Sequence, residues 1–132
     1  MGEDAKTRAK HPVVVRFRTN ARGFFAAYRW LLLLFLASLF CDAASTIHFM
    51  LKLGPEPEMN PAVRMAARIA GPVAGPLIGA VAKSIAGILV AIYCRKFAAY
   101  IFILTALISF WAAWYNVWGV ELYYPMFMRH WP

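Results

Sequence analysis

Two opposite charges, Asp42 and Lys83, interrupt long apolar segments of this sequence. Asp42 lies near the middle of residues 30–53, and Lys83 lies at the middle of residues 72–94. An isolated charge at the centre of a membrane-spanning helix costs about 2.5–3.5 kcal/mol. Because both charges fall at the same depth, we predict that they form a buried ion pair. The pair fits two roles, a proton or ion relay and a structural bridge that fixes the register of two helices.

Hydroxyl side chains accompany this pair at helical spacing. Ser45 and Thr46 follow Asp42 by three and four residues, which places them on the same face of a helix. In the last apolar segment, Thr105 and Ser109 are four residues apart and lie near mid-depth. The predicted intramembrane polar cluster contains Asp42, Ser45, Thr46, Lys83, Thr105 and Ser109.

A second polar cluster is predicted at the outer end of the helices. Asn60 followed by Pro61 is a typical helix start, because the amide caps backbone N–H groups and proline suits the first helical position. Glu58 is a candidate acid–base group. A surface ion pair, or a contact with the helix start, is the simpler interpretation of this carboxylate. The predicted outer-face cluster contains Glu58, Asn60 and Asn116.

Glycines recur at multiples of four residues along the second apolar segment. Small residues at this spacing let two helices approach closely in lipid. Lys83 falls in the same register, so its side chain should be directed at a neighbouring helix. The predicted helix-packing seam contains Gly71, Gly75, Gly79 and Gly87.

The sequence contains no recognisable catalytic, cofactor-binding or metal-binding motif. Met126, Met128 and His130 alternate near the C-terminus, and thioether and imidazole groups suit copper(I). Alternating apolar residues on a membrane surface need no metal, so we predict no metal site and no cofactor. A lone histidine near a helix end, His48, is interpreted as a packing residue rather than a relay or ligand.

The composition predicts a membrane protein. Hydrophobic residues make up 62% of the 132 residues and charged residues 15%, whereas soluble domains average about 45–50% and 25%. Apolar segments of about 20 residues cross a bilayer as helices. We therefore predict an all-α protein with a three-helix membrane domain at 20–119, whose spans cover about 30–53, 72–94 and 97–118.

Caps and breakers predict where the helices begin and bend. Asn20 is expected to cap the first membrane helix. A short external helix should run from Asn60-Pro61 to about residue 70. Pro72 and Pro76 each remove a backbone donor, so the chain should kink at both positions.

Basic residues are distributed unevenly and predict the orientation of the chain. Seven precede the first span and Arg95 and Lys96 separate the second and third, against four on the other side. By the positive-inside rule the N-terminus is cytoplasmic and the C-terminus outside, as in a multi-pass protein of the cytoplasmic (inner) membrane. Residues 1–19 should form an irregular basic cytoplasmic tail that attracts anionic lipid headgroups. Residues 120–132 should form an aromatic tail along the outer surface.

The net charge of +8 does not indicate nucleic-acid binding. Proteins that bind nucleic acid without sequence preference combine basic residues with aromatic stacking platforms. The basic residues here instead flank the apolar segments, where they orient membrane helices. The predicted partners are therefore the lipid bilayer and other membrane protein subunits, and no nucleic acid.

The polar elements together resemble a known family. The pattern Asp42-x-x-Ser45-Thr46, Gly54, Glu58-x-Asn60-Pro61 and Lys83 is similar to that of small prokaryotic membrane proteins classed as a domain of unknown function, number 5658. The resemblance covers roughly residues 30–116, and the stretch at 54–57 is more proline-rich than the family pattern. It implies no activity. It implies one site that contains Asp42, Thr46, Glu58, Asn60 and Lys83.

These observations favour a non-enzymatic accessory or assembly subunit of a larger membrane protein complex, with electron-transport and photosynthetic assemblies as candidate hosts. The chain of 132 residues is too small for a typical transporter built from inverted repeats. The alternative is a small homo-oligomeric transporter or an ion or proton channel that uses the Asp42–Lys83 pair. A third hypothesis is a membrane enzyme with an outer-face site at Glu58 and Asn60.

Overall fold

The computed structural model describes residues 12–119, and the regular elements in that range are all helical. They are α1 (Pro12–Ala21), α2 (Phe24–Leu53), α3 (Pro61–Tyr93), a 3₁₀ turn (Arg95–Phe97), α4 (Ala98–Trp114) and a π-helical turn (Tyr115–Gly119). Three helical segments, Phe24–Leu53, Pro61–Tyr93 and Arg95–Gly119, are long and apolar enough to cross a membrane. The prediction of an all-α chain with three such helices is therefore confirmed.

Several predictions concern residues outside the described range. The aromatic tail at 120–132, including Met126, Met128 and His130, lies outside it, as does the tail before residue 12.

Residues 12–21 form the helix α1, so the prediction of an irregular tail up to residue 19 is wrong for this part of the chain. Asn20 does not cap α2: the N-cap position belongs to Gly23, in a left-handed conformation with φ 66°, and no side chain caps the helix there. The Asn20 amide instead donates from Nδ2 to the carbonyl of Tyr93, at 3.0 Å. A contact between residues this far apart in sequence favours a helix that local signals do not predict.

Arg95 ties α1 to the turn between α3 and α4. Its Nη1 donates to the carbonyls of Asn20, at 2.9 Å, and Arg22, at 2.8 Å, near the C-terminal end of α1. Carbonyls at a helix C-terminus have no intrahelical partner, and a cation there also interacts favourably with the helix dipole. The Tyr28 hydroxyl donates back to the carbonyl of Arg95, at 3.1 Å. These bonds fix α1, α2 and the turn at one end of the bundle.

The helix α3 breaks at Gly71, whose backbone has φ 94° and ψ 168°. We predicted kinks at Pro72 and Pro76, but the non-helical backbone lies one residue earlier and neither proline departs from helical geometry. Proline disfavours the α conformation in the residue before it, and only glycine adopts this positive φ without strain. Pro72 then begins the second part of α3, where its missing N–H group has no cost.

The two parts of α3 fold back on each other around Gly71. A Cβ atom at Gly75 would lie 2.5 Å from the Cα atom of Ala67, and one at Gly79 would lie 3.0 Å from Cγ2 of Val63. Residues eight apart in one straight helix would be separated by about 12 Å. The segment 61–70 and the segment that begins at Pro72 therefore run side by side in opposite directions, and we call this arrangement the α3 hairpin.

Two apolar cores lie at opposite ends of α2. One core joins α2 to the end of α3 and to α4, and is built from Phe24, Phe35, Leu39, Ala91, Ile92, Ala98 and Phe102. The other core joins α2 to the α3 hairpin, and is built from Phe49, Met50, Val63 and Ala67. Residues 42–46 of α2 lie between the two cores, and they carry the polar side chains.

The predicted glycine seam is divided between two contacts. Gly75 and Gly79 pack inside the α3 hairpin, while a Cβ atom at Gly87 would lie 2.7 Å from the Phe35 ring of α2. Gly71 is the break itself rather than a packing position.

Candidate functional site

An ion pair between α2 and α3 lies at the centre of the polar region. Lys83 Nζ is 2.9 Å from Asp42 Oδ2. The Asp42 side chain is 12% exposed and that of Lys83 is 41% exposed, so the carboxylate is enclosed while the lysine side chain stays partly exposed. Removal of one partner of such a pair leaves an uncompensated charge, which destabilises the fold more than replacement of both partners by apolar residues.

Helix α4 reaches the same region through Asn116. Its Nδ2 donates to Thr46 Oγ1, at 2.8 Å, and to Ser45 Oγ, at 3.1 Å. The Ser45 hydroxyl in turn donates to the backbone carbonyl of Asp42, at 2.9 Å. Asn116 lies in the π-helical turn that follows α4, and such turns redirect side chains and frequently occur at functional sites. One amide therefore joins α4 to the helix turn that carries Asp42.

The loop between α2 and α3 contributes Glu58 and Asn60. The carboxylate Oε1 of Glu58 accepts from the backbone N–H of Asn60, at 2.8 Å. The side chain of Asn60 accepts from the N–H groups of Ala62, at 3.0 Å, and Val63, at 3.4 Å. The helix start predicted at Asn60-Pro61 is thus confirmed, with Asn60 as its cap.

Burial raises the pKa of the Glu58 carboxyl above its ordinary value of 4.5, and the negative charge of Asp42 adds to the rise. The hydrogen bond from Asn60 and the charges of Lys83 and Arg64 act in the opposite direction, and the rise prevails. Glu58 therefore holds a proton more readily than an exposed glutamate, beside the ion pair.

Two cavities connect these residues. The smaller, of about 20 Å³, is lined by Asp42, Thr46, Glu58 and Lys83 together with apolar neighbours, and has room for one water molecule. The larger, of about 260 Å³, opens beside α4, and its lining includes Asp42, Glu58, Asn60, Lys83, Trp111, Tyr115 and Asn116. The clusters predicted as intramembrane and as outer-face therefore share one polar core, and we use that name for Asp42, Ser45, Thr46, Glu58, Asn60, Lys83 and Asn116.

Two predicted members stay outside this polar core. Ser109 is buried and Thr105 is half-buried on α4, but neither side chain forms a hydrogen bond with the polar core among the described residues. His48 is exposed on α2.

Glu56 also lies apart from the polar core. Its carboxylate forms a two-pronged surface ion pair with Arg68, at 2.8 Å and 3.3 Å. The hydrogen bond from Arg68 lowers the pKa of Glu56.

Sequence reasoning missed the aromatic wall of the larger cavity. Trp111 and Tyr115 line it and stack on each other with centroids 6.0 Å apart. Neither residue belongs to a cluster predicted from the sequence, although their spacing of four residues places them on one helix face. Within residues 12–119, no group of three or more His, Cys, Asp or Glu side chains is arranged to hold a metal ion.

The chain matches no model of a protein family, no curated protein and no solved structure. The resemblance to the domain of unknown function stays a prediction. Its residues Asp42, Thr46, Glu58 and Lys83 nevertheless line one small cavity in this structure.

The pH dependence of stability should report on Glu58. Because burial and the Asp42 charge raise its pKa, this carboxyl contributes stability that is fully present below pH 4.5 and is lost as pH rises through the folded pKa. We expect Glu58→Gln to be more stable than the original protein at pH 7, and to lose less stability between pH 4.5 and 7. Thermal unfolding in detergent micelles at a series of pH values measures this.

Glu56→Gln is the matched control in the same loop. Its pKa is lowered by the bond from Arg68, so this carboxylate contributes stability above pH 4.5 that is lost as pH falls. Glu56→Gln should therefore still lose stability between pH 4.5 and 7, as the original protein does. An unchanged pH profile in Glu58→Gln would show that the carboxyl is not the group that titrates.

Asn116→Leu should separate α4 from α2 at the polar core. The change removes two hydrogen bonds between helices, and such bonds average about 0.6 kcal/mol each in membrane proteins. We expect a loss of about 1–2 kcal/mol in unfolding free energy, measured by titration with a denaturing detergent. Thr105→Val, on the same helix but outside the polar core, should change stability by less than about 0.5 kcal/mol. Equal losses in the two variants would argue against the role of Asn116.

Proposed function

We propose that this chain is a non-enzymatic multi-pass membrane protein that acts as an accessory or assembly subunit of a larger membrane protein complex. The observation that carries the proposal is the exposure of Lys83. Its side chain is 41% exposed at a position near the middle of the apolar part of α3 that follows Gly71. An ammonium group facing hydrocarbon is costly, and charged side chains within membrane helices almost always face protein or a water-filled cavity.

Both members of the ion pair also line the larger cavity. That cavity is lined by polar groups from α2, α3 and the α2–α3 loop, and by Trp111 of α4 and Tyr115 of the π-helical turn that follows it. We call this side of the molecule the α3–α4 face. A polar cavity and a charged side chain on one face are best accommodated by a second protein surface. We propose that a partner subunit packs against the α3–α4 face and completes the enclosure of Lys83.

The arrangement of the polar core supports a structural role for the ion pair. Asp42 has Lys83 as its partner, Asn116 bonds two hydroxyls, and Glu58 bonds a backbone amide. Below the pair, toward α1, the bundle is filled by the apolar core that includes Phe35, Leu39 and Phe102. A proton or ion relay needs a continuous path of ionisable or hydrated groups across the membrane. This packed apolar layer interrupts such a path within one chain.

The proposal includes the orientation of the chain across the membrane. Basic side chains cluster at the end formed by α1 and the α3–α4 turn, whereas Glu56 and Glu58 belong to the opposite end. By the positive-inside rule this puts α1 in the cytoplasm and the α2–α3 loop outside, in the cytoplasmic membrane.

Site-specific photo-crosslinking in the native membrane tests the partner face. A crosslinking residue at Ala112, which lines the larger cavity, should capture a different polypeptide in a single discrete product. The same residue at Phe40, which is 70% exposed on α2, is the control and should react mainly with lipid. If neither position captures protein, or if both capture the same range of proteins, the α3–α4 face is not a specific interface.

A second candidate function, a homo-oligomeric transporter or channel, is favoured by Glu58. Its raised pKa and its place beside the Asp42–Lys83 pair are properties of a proton-binding site. Asp42→Asn distinguishes the two functions. A subunit that needs the pair for assembly should lose abundance in its complex, whereas a transporter should keep its assembly and lose flux in reconstituted vesicles.

A further inference from the structure

A basic cavity lies at the opposite end of the bundle from the polar core. It has a volume of about 260 Å³ and is lined by Arg16, Asn20, Cys94, Arg95, Lys96 and Phe97. Three of its lining side chains are cationic. The acidic residues of the described range are Asp42, Glu56 and Glu58, which all belong to the polar core or to its loop. Within residues 12–119, no carboxylate therefore neutralises this cavity.

The cationic groups are held in place by the fold. Arg95 donates through Nη1 to the carbonyls of Asn20 and Arg22, so within the described residues its other nitrogens are left for an anion. The guanidinium of Arg16 lies over the Tyr93 ring, 4.7 Å from the centroid. The ring contact and the two hydrogen bonds hold these guanidinium groups in place, which lowers the conformational entropy lost when an anion binds. Lys96 is exposed beside them.

The cavity also adjoins exposed apolar surface. Phe97 lines the cavity and is 62% exposed, and Tyr100, one turn further along α4, is 73% exposed. A ligand with an anionic head and apolar chains matches this arrangement, because its head meets the basic residues while its chains lie along α4. The volume is slightly below the roughly 300 Å³ of small-molecule sites, which suits a headgroup rather than a whole lipid.

We propose that Arg16, Arg95 and Lys96 form a binding site for the phosphate headgroup of an anionic phospholipid. Basic pockets between membrane helices are known to bind such headgroups. The inference goes beyond a diffuse attraction between a basic tail and the membrane, because it assigns a cavity, three side chains and a stoichiometry of one lipid per chain. It does not depend on the partner at the α3–α4 face.

Lipid retention by the full-length chain tests the site. The protein is reconstituted in nanodiscs of phosphatidylglycerol and phosphatidylcholine, and the lipids that stay bound are counted by native mass spectrometry. We expect one retained phosphatidylglycerol in the original protein. The double variant Arg16→Gln and Lys96→Gln should lower this preference about thirtyfold, from about 1 kcal/mol for each hydrogen bond to the headgroup that is lost.

A charge-matched variant separates the site from general electrostatics. Arg18→Gln with Arg29→Gln removes the same charge from the same end of the bundle but from residues that do not line this cavity. It should lower the preference by less than about threefold, because neither side chain lines the cavity that holds the headgroup. Equal losses in both double variants would overturn the assigned site. Arg95 is not replaced, because its bonds to α1 make its loss a folding defect.

The alkylation rate of Cys94 tests the site a second time, without replacement of any basic residue. Cys94 lines the cavity, so in a Cys41→Ala background a bound headgroup should slow its alkylation in phosphatidylglycerol vesicles relative to phosphatidylcholine vesicles. Inorganic phosphate added to phosphatidylcholine vesicles should not reproduce the protection. Protection by inorganic phosphate alone, or none with either lipid, would overturn the assignment of a phospholipid.

Discussion

Lys83→Met will lower the unfolding free energy by about 3 kcal/mol, the lower end of the cost of breaking a buried ion pair from one side, because the pair is only partly buried. The change leaves the Asp42 carboxylate, only 12% exposed, without the cation that lies 2.9 Å away. Asp42→Leu should cost less, because the Lys83 side chain is 41% exposed and its flexible stem can carry the ammonium toward water. Titration of both variants with a denaturing detergent measures the two losses.

The combination Asp42→Leu with Lys83→Met should be more stable than either single variant. When both charges are removed, no uncompensated charge remains and apolar side chains of similar size fill the space, which is often neutral or stabilising. We expect a coupling free energy of about 2 kcal/mol or more between the two positions. Glu56→Gln with Arg68→Gln is the control, since that pair is exposed and should show much weaker coupling. A double variant no more stable than the more stable of the two single variants would contradict the ion pair.

Gly75→Val will open the α3 hairpin. A Cβ atom at this position would lie 2.5 Å from both the backbone N and the Cα atom of Ala67, and 2.9 Å from the carbonyl carbon of Ala66. Backbone atoms inside a helix cannot move aside singly, so the two parts of α3 must separate. We expect a loss of about 3 kcal/mol or more, at the upper end of the range for overpacked positions. Denaturing-detergent titration, with protease sensitivity of the α2–α3 loop, measures it.

Gly79→Ala is the matched control for the hairpin. The nearest atom to its added methyl group is the side-chain Cγ2 of Val63, at 3.0 Å, and a shift of that side chain by a few tenths of an ångström relieves the contact. We therefore expect less than about 1 kcal/mol of destabilisation, and alanine's better helix propensity offsets part of it. Similar losses at Gly75 and Gly79 would contradict the close approach of the two helical parts.

Periodicity and spacing predicted much of this fold. The three long apolar helices follow from the length and contiguity of the apolar segments, because backbone groups in lipid must be satisfied within a helix. The start of α3 follows from Asn60 and Pro61, and the end of α2 follows from Gly54, whose φ of 80° is a conformation that glycine favours. These are local properties, and local signals are enough to place them.

The features of the fold that local sequence signals did not predict depend on tertiary contacts. Asn20 looked like a cap, but a carbonyl at the end of α3 takes its amide. The four-residue glycine spacing indicated close packing, but not that Gly75 would meet a segment of the same helix after a reversal at Gly71. The fusion of two predicted clusters into one polar core depends on that reversal and on the π-helical turn that carries Asn116. Neither the reversal at Gly71 nor the π-helical turn has a strong sequence signature.

The central claim, that this chain completes its α3–α4 face with another protein, is tested most directly by its native mass. The tagged protein is extracted gently from its own membrane, its mass is measured, and the co-purifying chains are identified. We predict a stoichiometric assembly much larger than the 14.9 kDa chain that contains at least one different polypeptide. A lone monomer or an assembly of this chain alone would contradict the proposed function. Proton flux through Asp42 and Glu58 would then become the property to measure.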